Sequence, residues 1–152
     1  MAEPAAPEEV VIPALMRGAR GSYARAITAQ LAAAGFDDLP RNGGFVLGGM
    51  ANFGGSAGDM IRGLEVSKQA ASQLIDTLVI RGYLTREINQ DDRRRMVIDL
   101  TDRGRAAAAA VRAGVEAVDK ELAQMISPEQ LAGLRAGLEA LTQIKDRMTD
   151  HS

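Results

Sequence analysis

From Ser67 to Thr101 the spacing of apolar residues changes from a helical period to strict alternation, and the change falls at one glycine. Ahead of Gly82, the residues Ala71, Leu74, Ile75 and Leu78 recur at three- and four-residue steps. A helix turning about 100° per residue gathers them on one side. Ser67 is a good N-cap for that helix, and Gly82 is placed to end it. Behind Gly82, "YLTREI" and "RMVIDLT" read as two strands around "NQDDRR", with Met96, Ile98 and Leu100 alternating inward. Whatever else this chain does, it must set a helix beside a β-hairpin with a charged tip.

Residues 59–63 read as a further short helix and "LEV" as a tight turn before Ser67, which is the helix-turn-helix pattern. Helix, helix and hairpin in that order make a winged helix-turn-helix. Long helices flank it. Over 8–34, Ile12, Leu15, Met16, Ala19, Tyr23, Ala26, Ile27 and Leu31 keep helical spacing, and Pro13 is tolerable only near the start. After Thr101, a cap, Ala108, Val111, Val115, Val118, Leu122 and Met125 form a heptad seam. "SPEQ" restarts the chain with Ser127 as cap, Pro128 at the first helical position and Gln130 closing a capping box. Leu131, Leu134, Leu138, Leu141 and Met148 follow. In "NGGFVLGGMANFGGSAG", Phe45, Val46, Leu47, Met50 and Phe53 are expected on one face of a short helix. Each interior glycine there costs roughly 1 kcal/mol against alanine.

The expected fold class is mainly α with a small β-hairpin wing. A winged helix-turn-helix lobe over 39–100 is flanked by long dimerisation helices over 8–34 and 101–150, all in one subunit spanning 1–152. Three long amphipathic helices leave more apolar surface than one small lobe covers. That predicts a homodimer held by Ile12, Leu15, Val111, Val115, Val118, Leu122, Leu131, Leu134, Leu138 and Leu141.

Composition removes several functions. The chain has no cysteine, which excludes disulfides, thiol catalysis, thiol redox sensing and cysteine-based zinc sites. Its one histidine, His151, stands next to the C-terminal residue, so neither a metal nor a cofactor is expected. No phosphate-loop motif occurs in the glycine-dense stretch. Asp91 and Asp92 are adjacent in a loop with no histidine, lysine or cysteine nearby, and no enzyme is expected. No apolar run approaches the ~18 residues of a membrane helix, and the acidic start is unlike a secretory signal. A cytoplasmic protein with no membrane partner is the expectation.

The net charge of −2 argues against non-specific coating of nucleic acid, yet from Arg62 to Arg105 nine basic residues stand against seven acidic ones. Three of the nine sit together in "DDRRR". Alone, such a tip is a solvated turn; behind a helix-turn-helix it suits DNA contact. Arginine's planar fork pairs with phosphate oxygens and enters narrow minor grooves, which makes Arg93, Arg94 and Arg95 candidates. On the helix before the wing, Lys68, Gln69, Ser72, Gln73 and Asp76 gather opposite the apolar side. Glutamine reads adenine through paired donor and acceptor groups, and lysine holds phosphate. Ser67, Lys68, Gln69, Ser72 and Gln73 are the candidate contacts to double-stranded DNA.

The segment "LEVSKQAASQLIDTLVIRGYLTREINQDDRRRMVIDLTDRGRA" resembles the core of MarR-family transcriptional regulators. Asp92 and Arg94 meet the family's Asp-x-Arg wing motif. Leu100 and Thr101 supply its Leu-Thr pair, and Gly104 takes the usual place in the next helix. The resemblance implies interlocked terminal helices in a dimer, Ser67 to Gln73 facing the major groove, and a wing arginine reaching toward the minor groove. It implies that Asp92 holds Arg94 or a neighbour in position. It further implies a repressor on a pseudo-palindromic operator. Release would come from a small aromatic or phenolic ligand, in a cleft that Tyr23, Phe45, Met50 and Phe53 would line. Where the family commonly has glycine in the turn, this chain has Glu65, at a position where positive φ is expected. The competing reading is a dimeric protein-interaction adaptor whose winged-helix lobe has lost DNA binding.

Overall fold

The computed structural model describes residues 9–149, so His151 lies outside them. The elements are α1 (Ile12–Ala33), α2 (Gly43–Phe53), α3 (Ala57–Arg62), α4 (Lys68–Ile80), β1 (Leu84–Ile88), β2 (Met96–Leu100), α5 (Asp102–Met125) and α6 (Pro128–Thr149). The chain divides after Val115 into two compact units, the first ending within α5 and the second holding the rest of α5 and α6.

Side-chain caps set most helix starts. Ser67 Oγ accepts the N–H of Ala70 at 3.1 Å, which opens α4. Thr101 Oγ1 accepts the N–H of Gly104 at 2.9 Å and donates to the carbonyl of Gly82, tying α5 to the base of the hairpin. Ser127 and Gln130 form the expected capping box of α6, at 3.2 and 2.9 Å. α3 starts at Ala57, before the expected Asp59. Ser56 and Asp59 form a capping box of their own, at 3.1 and 3.0 Å.

α4 ends as its glycine predicts. Gly82 has φ +79°, its N–H reaches the carbonyl of Val79 at 3.0 Å, and the N–H of Tyr83 reaches that of Leu78 at 2.9 Å. This pair of bonds satisfies the last carbonyls of the helix and turns Tyr83 back under it. β1 then pairs antiparallel with β2, Leu84 opposite Leu100, Arg86 opposite Ile98 and Ile88 opposite Met96.

The core of the first unit joins Leu31 of α1, Val46 and Leu47 of α2, Ala57 of α3, and Leu74, Ile75 and Leu78 of α4 with Tyr83, Leu84 and, on α5, Ala107, Ala108, Ala110 and Val111. With few aromatics, close backbone approach fills space instead. A Cβ on Gly44 or on Gly48 would come within 3.3 Å of a Val111 methyl. The glycines of α2 are therefore the seat of α5, and that packing offsets their low helix propensity.

Three expectations change. Val111 was expected at the dimer seam, but at 7% exposure it belongs to the core of its own lobe, because the α2 glycines leave it room there. Phe45 and Phe53 are not buried with Val46, Leu47 and Met50; they are 52% and 84% exposed. At about 100° per residue, Val46, Leu47 and Met50 fall within one arc and Phe45 falls outside it. Met96 was expected to point inward but is exposed, since the hairpin outruns the lobe at its tip and only Ile98 and Leu100 reach the core. In the second unit Val118, Leu122 and Leu131 are half-buried, while Leu134, Leu138, Leu141 and Ile144 of α6 are exposed.

Candidate nucleic-acid interface

The amphipathic pattern of α4 decides which side chains it offers. Leu74, Ile75 and Leu78 are drawn into the core, so Lys68, Gln69, Ser72, Gln73 and Asp76 stand exposed on the opposite side. Ser67 precedes them, its oxygen engaged in the cap and its hydroxyl proton still available to donate. The turn leading in carries Glu65 at φ +53°. A left-handed conformation costs a residue with a side chain roughly 1–2 kcal/mol. The geometry that glycine commonly supplies is thus kept without glycine.

The wing is built by short hydrogen bonds around its acidic residues. The N–H of Asn89 reaches the carbonyl of Arg95 at 2.9 Å and closes the loop. Asn89 Oδ1 accepts the N–H of Asp91 at 2.9 Å. Asp92 accepts twice: its carboxylate from the N–H of Arg94 at 3.1 Å, and its carbonyl from the N–H of Arg95 at 2.9 Å. Asp92 therefore shapes the turn through the backbone. Arg93, Arg94 and Arg95 are exposed, and among the described residues none of them forms an ion pair.

Wing and helix are fastened together. Arg86 Nη2 of β1 meets Asp76 Oδ1 of α4 at 2.6 Å. Asp76 stood out in the sequence as an acid on the polar face of α4, but its partner lay ten residues on in a strand and was missed. The pair neutralises the one negative charge on that face. At the start of α3, the backbone N–H of Ser56, then its hydroxyl, hold the Asp59 carboxyl below the usual carboxylate range.

The proposed ligand residues are scattered. Tyr23 is half-buried on α1, Met50 leans on the core, and Phe45 and Phe53 point outward from α2. Of the expected dimer residues, Ile12 and Leu15 are 60% and 57% exposed.

Residues 38–95 match the model of the MarR family. This winged helix-turn-helix lobe is what resembles the MarR family. The MarR match begins in the loop before α2 and ends at the last arginine of the wing tip. Most of the chain is similar in fold to solved structures. A structure of MepR of S. aureus in complex with DNA has 20% identity and TM-score 0.71, covering 89% of this chain and 98% of that one. A MarR family transcription regulator has 20% identity and TM-score 0.71, covering 93% and 89%. MepR of S. aureus bound to ethidium bromide has 20% identity and TM-score 0.53, covering 88% and 96%. No curated protein matches the sequence.

Proposed function

We propose that this chain is a dimeric, cytoplasmic, sequence-specific DNA-binding transcriptional regulator that acts as a repressor. The observation that carries the reading is the wing. Three exposed arginines without acidic partners among the described residues stand on a hairpin that Arg86 fastens to the polar outer face of α4. Gln69 and Gln73 read base edges in the major groove, with Ser67, Lys68 and Ser72 placed on phosphate or base. Arg94, flanked by Arg93 and Arg95, enters the minor groove, where narrow walls concentrate negative potential.

A second copy of the chain covers the apolar residues that α1 and α6 leave exposed, Ile12 and Leu15 on one and Leu134, Leu138 and Leu141 on the other. Val115, Val118, Leu122 and Leu131 are the further residues assigned to the dimer. Such a dimer meets a pseudo-palindromic operator with half-sites about one helical turn apart. The MepR structures, one with DNA and one with ethidium bromide, support both operator binding and release by a small aromatic effector. Tyr23, Phe45, Met50 and Phe53 remain the side chains such an effector would meet.

The test is a gel shift against the DNA upstream of the protein's own gene, with scrambled duplex as competitor. A salt-sensitive complex that survives the competitor supports the reading. Its absence leaves the protein-interaction adaptor.

A further inference from the structure

Tyr83 is the largest fully buried side chain of the first unit, and its hydroxyl therefore needs partners. It donates to Asp38 Oδ1, in the loop between α1 and α2, and accepts from Arg103 Nη2 at 3.1 Å. Arg103, in the first turn of α5, also reaches Asp38 Oδ1 at 3.2 Å. Its guanidinium lies 4.6 Å from the centre of the Tyr83 ring and 5.4 Å from that of Phe36. Arg81, the C-cap of α4, donates to the backbone carbonyl of Asp38. The α1–α2 loop, the end of α4 and the start of α5 thus converge at one point.

That point is the root of the wing. The carbonyl of Tyr83 accepts the N–H of Thr101, one residue beyond the Leu84–Leu100 pair. α4, which Arg81 ends at this point, is 13 residues long, a lever of roughly 20 Å at about 1.5 Å per residue. A rotation of about 5° at that end moves the Ser67 end by roughly 1.7 Å over that length. Recognition of base edges needs placement within about 0.5 Å, whereas a charge near a uniform phosphate backbone tolerates more. Any change at the root is therefore read out as discrimination.

We propose that Asp38, Tyr83 and Arg103 form a latch that fixes α4 and the wing against α5, and that they are positioning residues for sequence-specific DNA recognition. The inference rests on the DNA-binding reading above and adds residues that lie outside α4 and the wing tip.

The experiment uses full-length wild type, Tyr83→Phe, Arg103→Lys and the double variant, all of unchanged net charge. Each is titrated at several salt concentrations against a duplex selected by the wild type and against scrambled duplex. Amide hydrogen exchange of β1 and β2 is followed in parallel. The latch predicts that affinity for the selected duplex falls by about tenfold in each single variant. It also predicts scrambled-duplex affinity and salt slope unchanged, faster exchange in both strands, and a double variant little worse than either single one. Unchanged discrimination beside a lowered melting midpoint would make the cluster merely structural and overturn the proposal. Equal losses on both duplexes would overturn it too. If the wild type selects no duplex, the DNA reading fails, and the exchange data alone decide whether the latch sets the wing: faster exchange in the variants upholds it, unchanged exchange removes it.

Discussion

Asp92 accepts the backbone N–H of Arg94 at 3.1 Å and leaves the guanidinium of Arg94 without a carboxylate partner among the described residues. In the proposed reading the aspartate orients the arginine by bending the chain beneath it. An acid that instead paired with the guanidinium would neutralise the charge at the tip.

That distinction predicts a difference between two substitutions. Asparagine keeps an acceptor for the Arg94 N–H, so Asp92→Asn should bind DNA at least as well as wild type, having lost a negative charge. Asp92→Ala loses the hydrogen bond, worth about 1 kcal/mol, and should bind roughly fivefold more weakly. Fluorescence titration on one operator duplex compares the two. Equal losses for both would mean that the carboxylate charge, not the turn, is what matters.

Gly114 of α5 lies against the backbone of α1: a Cβ there would stand 2.6 Å from the Cα of Ile27. Backbone cannot swing aside as a side chain does. Gly114→Ala should therefore cost about 1–3 kcal/mol in chemical denaturation despite alanine's better helix propensity. A more stable variant would show that α1 and α5 are not held this closely.

The Asp38–Tyr83 pair sets a pH window for stability. The hydrogen bond from Tyr83, then the charge of Arg103, hold the Asp38 carboxyl below its ordinary 3.8. Asp38's contribution is complete above pH 3.8 and is lost as pH falls through its lowered folded value. Burial, then the hydrogen bond to Asp38, raise the Tyr83 phenol above 10.0. Its contribution is complete below pH 10.0 and is lost as pH rises through the raised folded value. In a Tyr23→Phe background Tyr83 is the remaining phenol, since the chain has two tyrosines. Its absorbance should titrate later in the folded protein than in urea. Coincident curves would place its hydroxyl in water.

α6 exposes Leu134, Leu138 and Leu141 at 44%, 43% and 38%. Leu138→Glu with Leu141→Glu should convert the dimer to a monomer in light scattering at micromolar concentration. A wild type that is itself a soluble monomer would remove the dimer from the account.

Much of this was legible because the signals are local. A cap needs only Ser67 and its third neighbour, a helix end only Gly82, and a hairpin only the alternation on either side of "NQDDRR". The side of α4 that faces out follows from the same periodicity. The face of α2 was misread because Phe45 and Phe53 are as apolar as Val46 and Leu47; helical angle leaves Phe45 outside, and Phe53 is the last residue of the helix. Val111 was misassigned because a heptad seam does not say which partner it meets; glycines more than sixty residues earlier decide that. The latch joins residues 45 and 65 positions apart. Asp38, Tyr83 and Arg103 carry no spacing that brings them together on paper.

The central claim is that α4 reads sequence while the wing tip supplies charge. Binding of wild type, Gln73→Ala and Arg94→Ala to operator and scrambled duplex, over a range of salt, tests it most directly. Gln73→Ala should lose about 1–3 kcal/mol on the operator and little on scrambled DNA. Arg94→Ala should weaken both duplexes alike and flatten the salt dependence by roughly two phosphate contacts per dimer. Affinity and salt slope unchanged in Arg94→Ala would contradict the account and leave the three arginines as a solvated turn.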